Sequence, residues 1–165
     1  MSAVRARLIA ESVPDPELPM VTIADLGILR EVTEHGDRVV VSLTPTYSGC
    51  PAMAEMAQDL CRRLLRAGFG GVEVRTVLTP AWTTDWITAE GRHKLAAAGI
   101  APPHAAPAAS GGPVPLSLST TRRVVSCPRC SSRDTVQTSA FGATACKALY
   151  RCRACAEPFE YVKEI

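Results

Sequence analysis

Residues 38–66 read RVVVSLTPTYSGCPAMAEMAQDLCRRLLR, and the change of period inside this stretch sets the architecture. Arg38 to Leu43 is rich in β-branched residues and predicts a strand. From Met53 onward, Met53, Ala57, Leu60 and Leu64 recur at helical spacing, while Glu55, Asp59, Arg62, Arg63 and Arg66 fill the remaining positions. That pattern predicts an amphipathic helix of about four turns. Between strand and helix lies Gly49-Cys50-Pro51. Proline suits the first helical position, where its missing N–H would have had no partner, and this places Cys50 at or beside the N-cap.

Upstream, Ile28 to Thr33 predicts a second strand, joined to the first by Glu34-His35-Gly36-Asp37, which has the composition of a tight connection. Residues 3–12 predict a helix with Val4, Leu8 and Ile9 on one face, stopped by Pro14-Asp15-Pro16-Glu17-Leu18-Pro19. Downstream, Gly68 and Gly70-Gly71 end the central helix and Val72 to Leu78 alternates as a strand. A last helix, from Thr84 or Thr88 to Ala98, closes at Gly99. The order α-β-β-α-β-α predicts a small α/β domain, with helices on one side of a short mixed sheet. Trp82, Asp85 and Trp86 read as packing near a helix start, with Asp85 as a cap, and Cys61 lies on the edge of the apolar stripe as a core residue.

No Asp, Glu, Lys or Arg lies between Lys94 and Arg122, and residues 101–121 are mostly Ala, Pro, Ser, Thr and Gly. Such a stretch predicts a linker, although a loop packed over one continuous domain has the same composition. The expected organisation is an α/β domain over 1–100, a linker over 101–121 and a small domain over 122–165. The first carries ten basic and twelve acidic residues, whereas residues 101–165 carry eight basic and four acidic.

In the small domain, Cys127-Pro-Arg-Cys130 and Cys152-Arg-Ala-Cys155 are two C-x2-C knuckles separated by 21 residues. Each knuckle presents two thiolates from one tight turn, and two facing knuckles close a tetrahedron with no open position. A structural zinc is the expected metal, and iron fits the same four sulfurs. Val136 to Phe141, Ala148 to Arg151 and Pro158 to Val162 supply short strands for an all-β ribbon. So small a domain buries little apolar surface, and a metal is its expected staple.

Over its 165 residues the chain is 47% hydrophobic and 21% charged with a formal net charge of +2, the profile of an ordinary globular protein. No apolar run reaches the roughly 18 residues of a membrane span, and Met1 to Ala10 carries Arg5 and Arg7 without an apolar h-region. Seven cysteines, an odd count, argue against a disulfide framework and for metal or thiol chemistry in a reducing, cytoplasmic compartment.

Two thiols outside the knuckles carry chemical potential. Unpaired N–H groups and the helix dipole favour a thiolate at Cys50, making it a candidate nucleophile or metal ligand; the bland alternative is a small buried hydrophobe. Cys146 stands beside Lys147, which would lower its pKa if the two side chains met. Asp15 and Glu17, pinned between prolines, either hold a metal or form a solvated turn. His35, His93 and His104 have no ligand-like spacing, and no Ser-His-Asp set, Walker loop or dinucleotide fingerprint is present, so no catalytic activity of its own is expected. Six arginines, Arg122, Arg123, Arg129, Arg133, Arg151 and Arg153, make the ribbon basic, but aromatics are not interleaved with them as a nucleic-acid stacking platform requires.

Asp15-Pro-Glu-Leu-Pro-Met20, Ile23-Ala-Asp-Leu-Gly-Ile28 and Leu43-Thr44 leading into Gly49-Cys50-Pro51 resemble the SufT-like family of iron-sulfur cluster assembly factors over roughly residues 5–100. With Trp82-Thr-Thr-Asp-Trp-Ile87, the ribbon knuckles, Phe141-Gly-Ala-Thr-Ala-Cys-Lys147 and Glu157-Pro-Phe159 added, nearly the whole chain is similar to a family of phenylacetate-degradation proteins usually labelled oxygenase subunits. The longer loop Thr44-Pro-Thr-Tyr-Ser-Gly49 departs from the general assembly factors.

The resemblance implies a role beside the multicomponent phenylacetyl-CoA 1,2-epoxidase, which has a di-iron subunit and a reductase with flavin and a [2Fe-2S] cluster. Asp15, Glu17, Thr44 and Cys50 match the family's motif positions, and Cys50 is the thiol expected to hold iron or a cluster transiently. Three readings result: a maturation factor whose ribbon docks the reductase or the di-iron subunit, a stoichiometric oxygenase subunit, and a nucleic-acid-binding ribbon. A homodimer is compatible with a small domain that has an exposed sheet edge.

Overall fold

The computed structural model describes residues 2–47, 49–104 and 124–164. Two compact units, Met1–Ala98 and Gly99–Lys163, divide the chain. The expected linker and the residues Arg122 and Arg123 lie mostly outside the described residues. No helix among those described is long and apolar enough to cross a membrane.

The first unit has the expected order: α1 (Ser2–Glu11), β1 (Leu29–His35), β2 (Arg38–Leu43), α2 (Ala52–Arg66), β3 (Gly71–Thr76), a single 3-10 turn (Thr84–Trp86) and α3 (Ala89–Ala97). The sheet order is β1-β2-β3. β1 and β2 pair antiparallel around Gly36, whose φ of +68° suits a residue without a Cβ, and α2 is the crossover that makes β2 and β3 parallel. Register pairs Val39 with Val72 and Val41 with Val74. Val39, Val41 and Leu43 are fully buried on β2, and Ala52, Met56, Leu60 and Leu64 are the buried stripe of α2. Alternation on the strand and a four-residue repeat on the helix thus supply the two halves of one core.

α1 departs from expectation. Val4 and Leu8 are 65% and 61% exposed, and the buried side of the helix is Ala6 and Ala10. Small side chains let a helix backbone approach its neighbours closely, so burial here follows size and not hydrophobicity. Cys61 is half-buried on the flank of α2, outside the fully buried set.

The Trp82–Ile87 segment is a clamp. Trp82 is buried and donates its indole N–H to the Leu26 carbonyl at 2.9 Å, while the Arg30 guanidinium lies 3.6 Å from the Trp86 ring centroid. Capping falls to threonines: Thr83 Oγ1 accepts from the Asp85 N–H, and Thr88 Oγ1 accepts from the Gly91 N–H at 2.9 Å to start α3. Of the two helix starts that the sequence offered, Thr88 is the one that caps α3, and Thr84 opens the separate 3-10 turn. Asp25 locks α3 to the preceding loop: its carboxylate accepts from the Thr22 N–H and pairs with Lys94 at 2.8 Å, and its carbonyl takes the Thr88 N–H. Burial pushes the Asp25 carboxyl upward, but Lys94 and Thr22 outweigh it and hold it below its ordinary value. The lock therefore stabilises the fold above the unfolded carboxyl's pKa of about 3.9 and fades as pH falls below it.

The second unit is a four-stranded sheet of order β4-β7-β6-β5, with β4 at Ile100–Ala101, β5 at Thr135–Ser139, β6 at Lys147–Cys152 and β7 at Pro158–Val162. β4 pairs parallel with β7 and the other pairs are antiparallel. β4 was not foreseen, since two residues carry no period, and it places Gly99–Ala101 with the ribbon. Ala101, Val125, Cys127, Ala148, Cys152, Phe159 and Tyr161 form the core, with Tyr150 stacked on Phe159 at 5.8 Å.

Candidate metal and thiol sites

The knuckles are built alike. The N–H of Cys127 bonds to the Ser132 carbonyl and that of Cys152 to the Glu157 carbonyl, both at 2.9 Å. To close so tightly, each chain passes through the left-handed region one residue after its second cysteine, at Ser131 (φ 60°) and Ala156 (φ 63°). Alanine pays a steric cost there that glycine does not. Ala156 is exposed, so Ala156→Gly removes no packing; it should raise the thermal midpoint of the metal-loaded protein by the equivalent of about 0.5–1 kcal/mol. An unchanged or lower midpoint in calorimetry would show that the turn carries no strain.

Pairing of β5 with β6, which sets Thr135 opposite Cys152, carries the two knuckles together. All four sulfurs lie within 4.8 Å of one another, with Cys127–Cys155 at 3.8 Å and Cys130–Cys152 at 3.6 Å. A tetrahedron with metal–sulfur bonds of about 2.3 Å has sulfur–sulfur edges of roughly 3.8 Å, so the residues fit a four-thiolate ion. Cys127 and Cys152 face the core, while Cys130 and Cys155 are exposed. The Cys155 N–H, donating to its sulfur, holds Cys152 down at about 7 against the effect of burial. At Cys130 the Ser132 N–H also works downward, but the Cys155 thiol, burial and the remaining two thiols push it up to about 12. Thiols that share protons in this way release them to a metal, and affinity rises with pH.

Cys146 is not part of this set. Its sulfur lies 3.1 Å from Thr144 Oγ1 and its carbonyl takes the Lys163 N–H. The neighbouring Lys147 is buried and turned to Glu160 at 3.1 Å, so its ammonium is committed to a carboxylate.

In the first unit, Pro51 already has helical dihedrals (φ −70°, ψ −23°), and the Met53 N–H reaches back to the Cys50 carbonyl at 3.5 Å. Cys50 thus immediately precedes the first turn of α2 and is half-buried. The expected lowering of its pKa does not occur. Burial is the largest influence and pushes the thiol up; the Ala52 N–H opposes it, the Glu17 and Asp15 carboxylates add to the rise, and the Thr46 hydroxyl works weakly downward. The helix start therefore acts as foreseen, but two negative charges and desolvation outweigh it.

Asp15 is buried, and its Oδ1 accepts from the N–H groups of Glu17 and Leu18, both at 2.8 Å. The Asp15 N–H in turn bonds to the Val21 carbonyl, which pins the Pro-rich turn beside α2. The carboxylates that oppose a bare thiolate favour a cation next to it. They do not converge with Cys50 into a three-ligand cluster of the kind the ribbon has. Thr44 is buried at the end of β2, its N–H held by the Ile28 carbonyl. Thr46, two residues on in the same loop, is the hydroxyl that acts on the thiol, a residue that sequence reasoning passed over.

The fold and the cysteine geometry define a small α/β domain joined to a metal-binding β ribbon. Residues 2–78 match the family described as iron-sulfur cluster assembly protein, and residues 111–163 match the PaaD zinc beta ribbon domain. The chain belongs to the PaaD-like family of phenylacetyl-CoA epoxidase subunits. It is 46% identical over 151 residues, covering 92% of this chain and 86% of the relative, to an Escherichia coli (strain K12) protein provisionally named as a subunit of 1,2-phenylacetyl-CoA epoxidase. The crystal structure of a domain of unknown function, DUF59, from Bacillus anthracis is similar with a TM-score of 0.51 and 27% identity, over 56% of this chain and 90% of that one.

Proposed function

We propose that this protein is a cytoplasmic accessory factor of aerobic phenylacetate catabolism that assists assembly of the iron-sulfur or di-iron sites of phenylacetyl-CoA 1,2-epoxidase, without a catalytic reaction of its own. Cys50 is the thiol that handles iron or a cluster as cargo. Asp15 and Glu17 favour the cation electrostatically, and Thr44 and Thr46 belong to the loop that presents the thiol. The observation that carries this reading is a half-buried thiol at a helix start, within electrostatic reach of two carboxylates, inside an assembly-type domain. In the ribbon, Cys127, Cys130, Cys152 and Cys155 hold a structural ion, read as zinc, and the ribbon docks the client: the reductase or the di-iron subunit.

The charge arrangement separates cargo handling from nucleophilic catalysis. A nucleophile needs a stable free thiolate, and the surroundings of Cys50 oppose one. A metal cation replaces the thiol proton and converts the carboxylates from opponents into stabilising neighbours.

Cys50→Ser, co-expressed with the epoxidase subunits, should lower the iron and acid-labile sulfide content of the purified epoxidase severalfold, while the ribbon keeps its full metal content. Normal loading of the epoxidase would remove the maturation reading. The relative's name favours a second reading, a stoichiometric subunit. Reconstitution discriminates between the two, because a purified epoxidase that turns over fully without this chain has no obligate place for it.

A further inference from the structure

The ribbon sheet ends on β5, and no strand among the described residues pairs with its outer side. The hydrogen bond from the Arg153 N–H to the Asp134 carbonyl, at 2.8 Å, sets the phase of the β5–β6 ladder. Bonded pairs alternate in an antiparallel ladder, so Val136 turns its main-chain groups to β6, while Thr135 and Gln137 turn theirs outward. The Thr135 N–H closes locally on the Arg133 carbonyl at 3.0 Å. What faces outward is the Thr135 carbonyl together with the N–H and C=O of Gln137.

Folded proteins blunt such edges with lysine, proline or inward charge. β5 reads Thr-Val-Gln-Thr-Ser, without a charge or a proline, and only the register shift between Gln137 and Ser139 interrupts it. A groove of about 740 Å³ opens along this edge, lined by β5 itself, Val124, Tyr150 and the two arginines Arg133 and Arg153. Arg133 and Arg153 are exposed, and Arg153 is met only loosely by the exposed Asp134 at 3.8 Å.

We propose that the outer edge of β5 is a docking site that takes an extended acidic segment of a partner protein as an added strand of the ribbon sheet. The complement of outward main-chain donors and acceptors is another extended backbone, which supplies affinity through the ladder. The two guanidiniums select carboxylates on the incoming segment, because the groove itself presents uncharged side chains between them. One half-buried tyrosine gives no stacking platform for a nucleic acid. This site gives the client-docking role proposed above a surface, and it rests on that role.

The test uses the full-length, metal-loaded protein and tiled peptides of about twelve residues, enough to span the edge, drawn from the subunits of the cognate epoxidase. Binding is read by fluorescence anisotropy at low salt, and edge pairing by amide hydrogen exchange. Gln137→Pro removes the outward N–H without touching the ladder to β6, and metal content and amide dispersion report whether it has folded. Arg133→Glu combined with Arg153→Glu reverses the charge selection. We expect an acidic peptide to bind, to protect the Gln137 amide, and to lose about tenfold or more in affinity in both variants, the arginine pair and the amide protection deciding if the proline variant does not fold. Cys50→Ser should bind it like wild type, so failure of cargo handling and failure of docking are separately visible. The proposal is overturned if no peptide binds, if both folded variants bind equally well, or if self-association already protects the Gln137 amide, which would assign the edge to a second copy of this chain.

Discussion

Cys152→Ser is expected to abolish metal binding at the ribbon and to collapse the amide dispersion of residues 124–163. Cys152 is fully buried, and its sulfur belongs to the core as well as to the four-thiolate set. The remainder of that core is small: Ala101, Val125, Cys127, Ala148, Phe159 and Tyr161. So few buried side chains are too small a core to order the domain without a staple. A structural zinc in a small domain contributes roughly 10–16 kcal/mol of apparent free energy at neutral pH, so losing it is expected to unfold the ribbon. Serine offers a poorer ligand and leaves a polar hydroxyl at a buried position. A chelator titration should give the same collapse with wild-type protein, reversed by adding zinc. Cys50→Ser and Cys146→Ser, whose sulfurs lie outside the set, should keep both dispersion and metal. If Cys152→Ser retains stoichiometric metal and native dispersion, the four-thiolate assignment fails.

Gly27→Ala should be the most damaging single-methyl change in the first unit. Gly27 has a φ of +70°, and an added Cβ would lie 2.5 Å from the Trp86 Cβ and 2.6 Å from the Trp86 carbonyl oxygen. The left-handed backbone costs alanine about 1–2 kcal/mol, and forced overpacking typically adds about 1–3 kcal/mol. The collision cannot relax by moving a flexible side-chain end, because its partners are a backbone oxygen and the first carbon of a tryptophan side chain. A loss of about 2–5 kcal/mol in urea unfolding is therefore expected. Gly36→Ala supplies the control: its φ is +68° but an added Cβ would meet nothing within 4 Å, so only the dihedral cost applies. Equal losses at the two sites would show that Trp86 does not press on Gly27 in solution.

These two cases mark how much was legible in the residue order. The Cys-x2-Cys pairs name their chemistry outright, because a tetrahedral ion needs two short turns of two thiols whatever surrounds them. The switch from strand to helix around Gly49-Cys50-Pro51 was equally plain, since alternation and a 3.6-residue period are local properties of the backbone. β2 and β7 match their expected spans, and the remaining longer elements differ by a few residues. Gly27, by contrast, carries no such local signal. Its constraint comes from Trp86, far along the chain, and no local pattern carries that contact.

The same limit governs the thiols. A helix start does act on Cys50, and the Ala52 N–H does lower its pKa, but the balance is set by burial and by Asp15 and Glu17 from a turn more than thirty residues earlier. Lys147 is adjacent to Cys146 in sequence, yet its ammonium points to Glu160 on the neighbouring strand. On α1 the larger apolar residues face outward and two alanines face inward, a choice made by how closely the helix approaches its neighbours.

Residue order was thus sufficient for the longer secondary-structure elements, the grouping of the four ribbon thiols and the position of the Cys-Pro junction at the start of α2, because each depends on spacing along a few consecutive turns. Only the folded chain settles which charges surround Cys50, which glycine tolerates no methyl group and which strand edge is unpaired among the described residues. Those properties arise where segments distant in the chain meet, and dielectric, close contact and hydrogen-bond pairing are fixed only there.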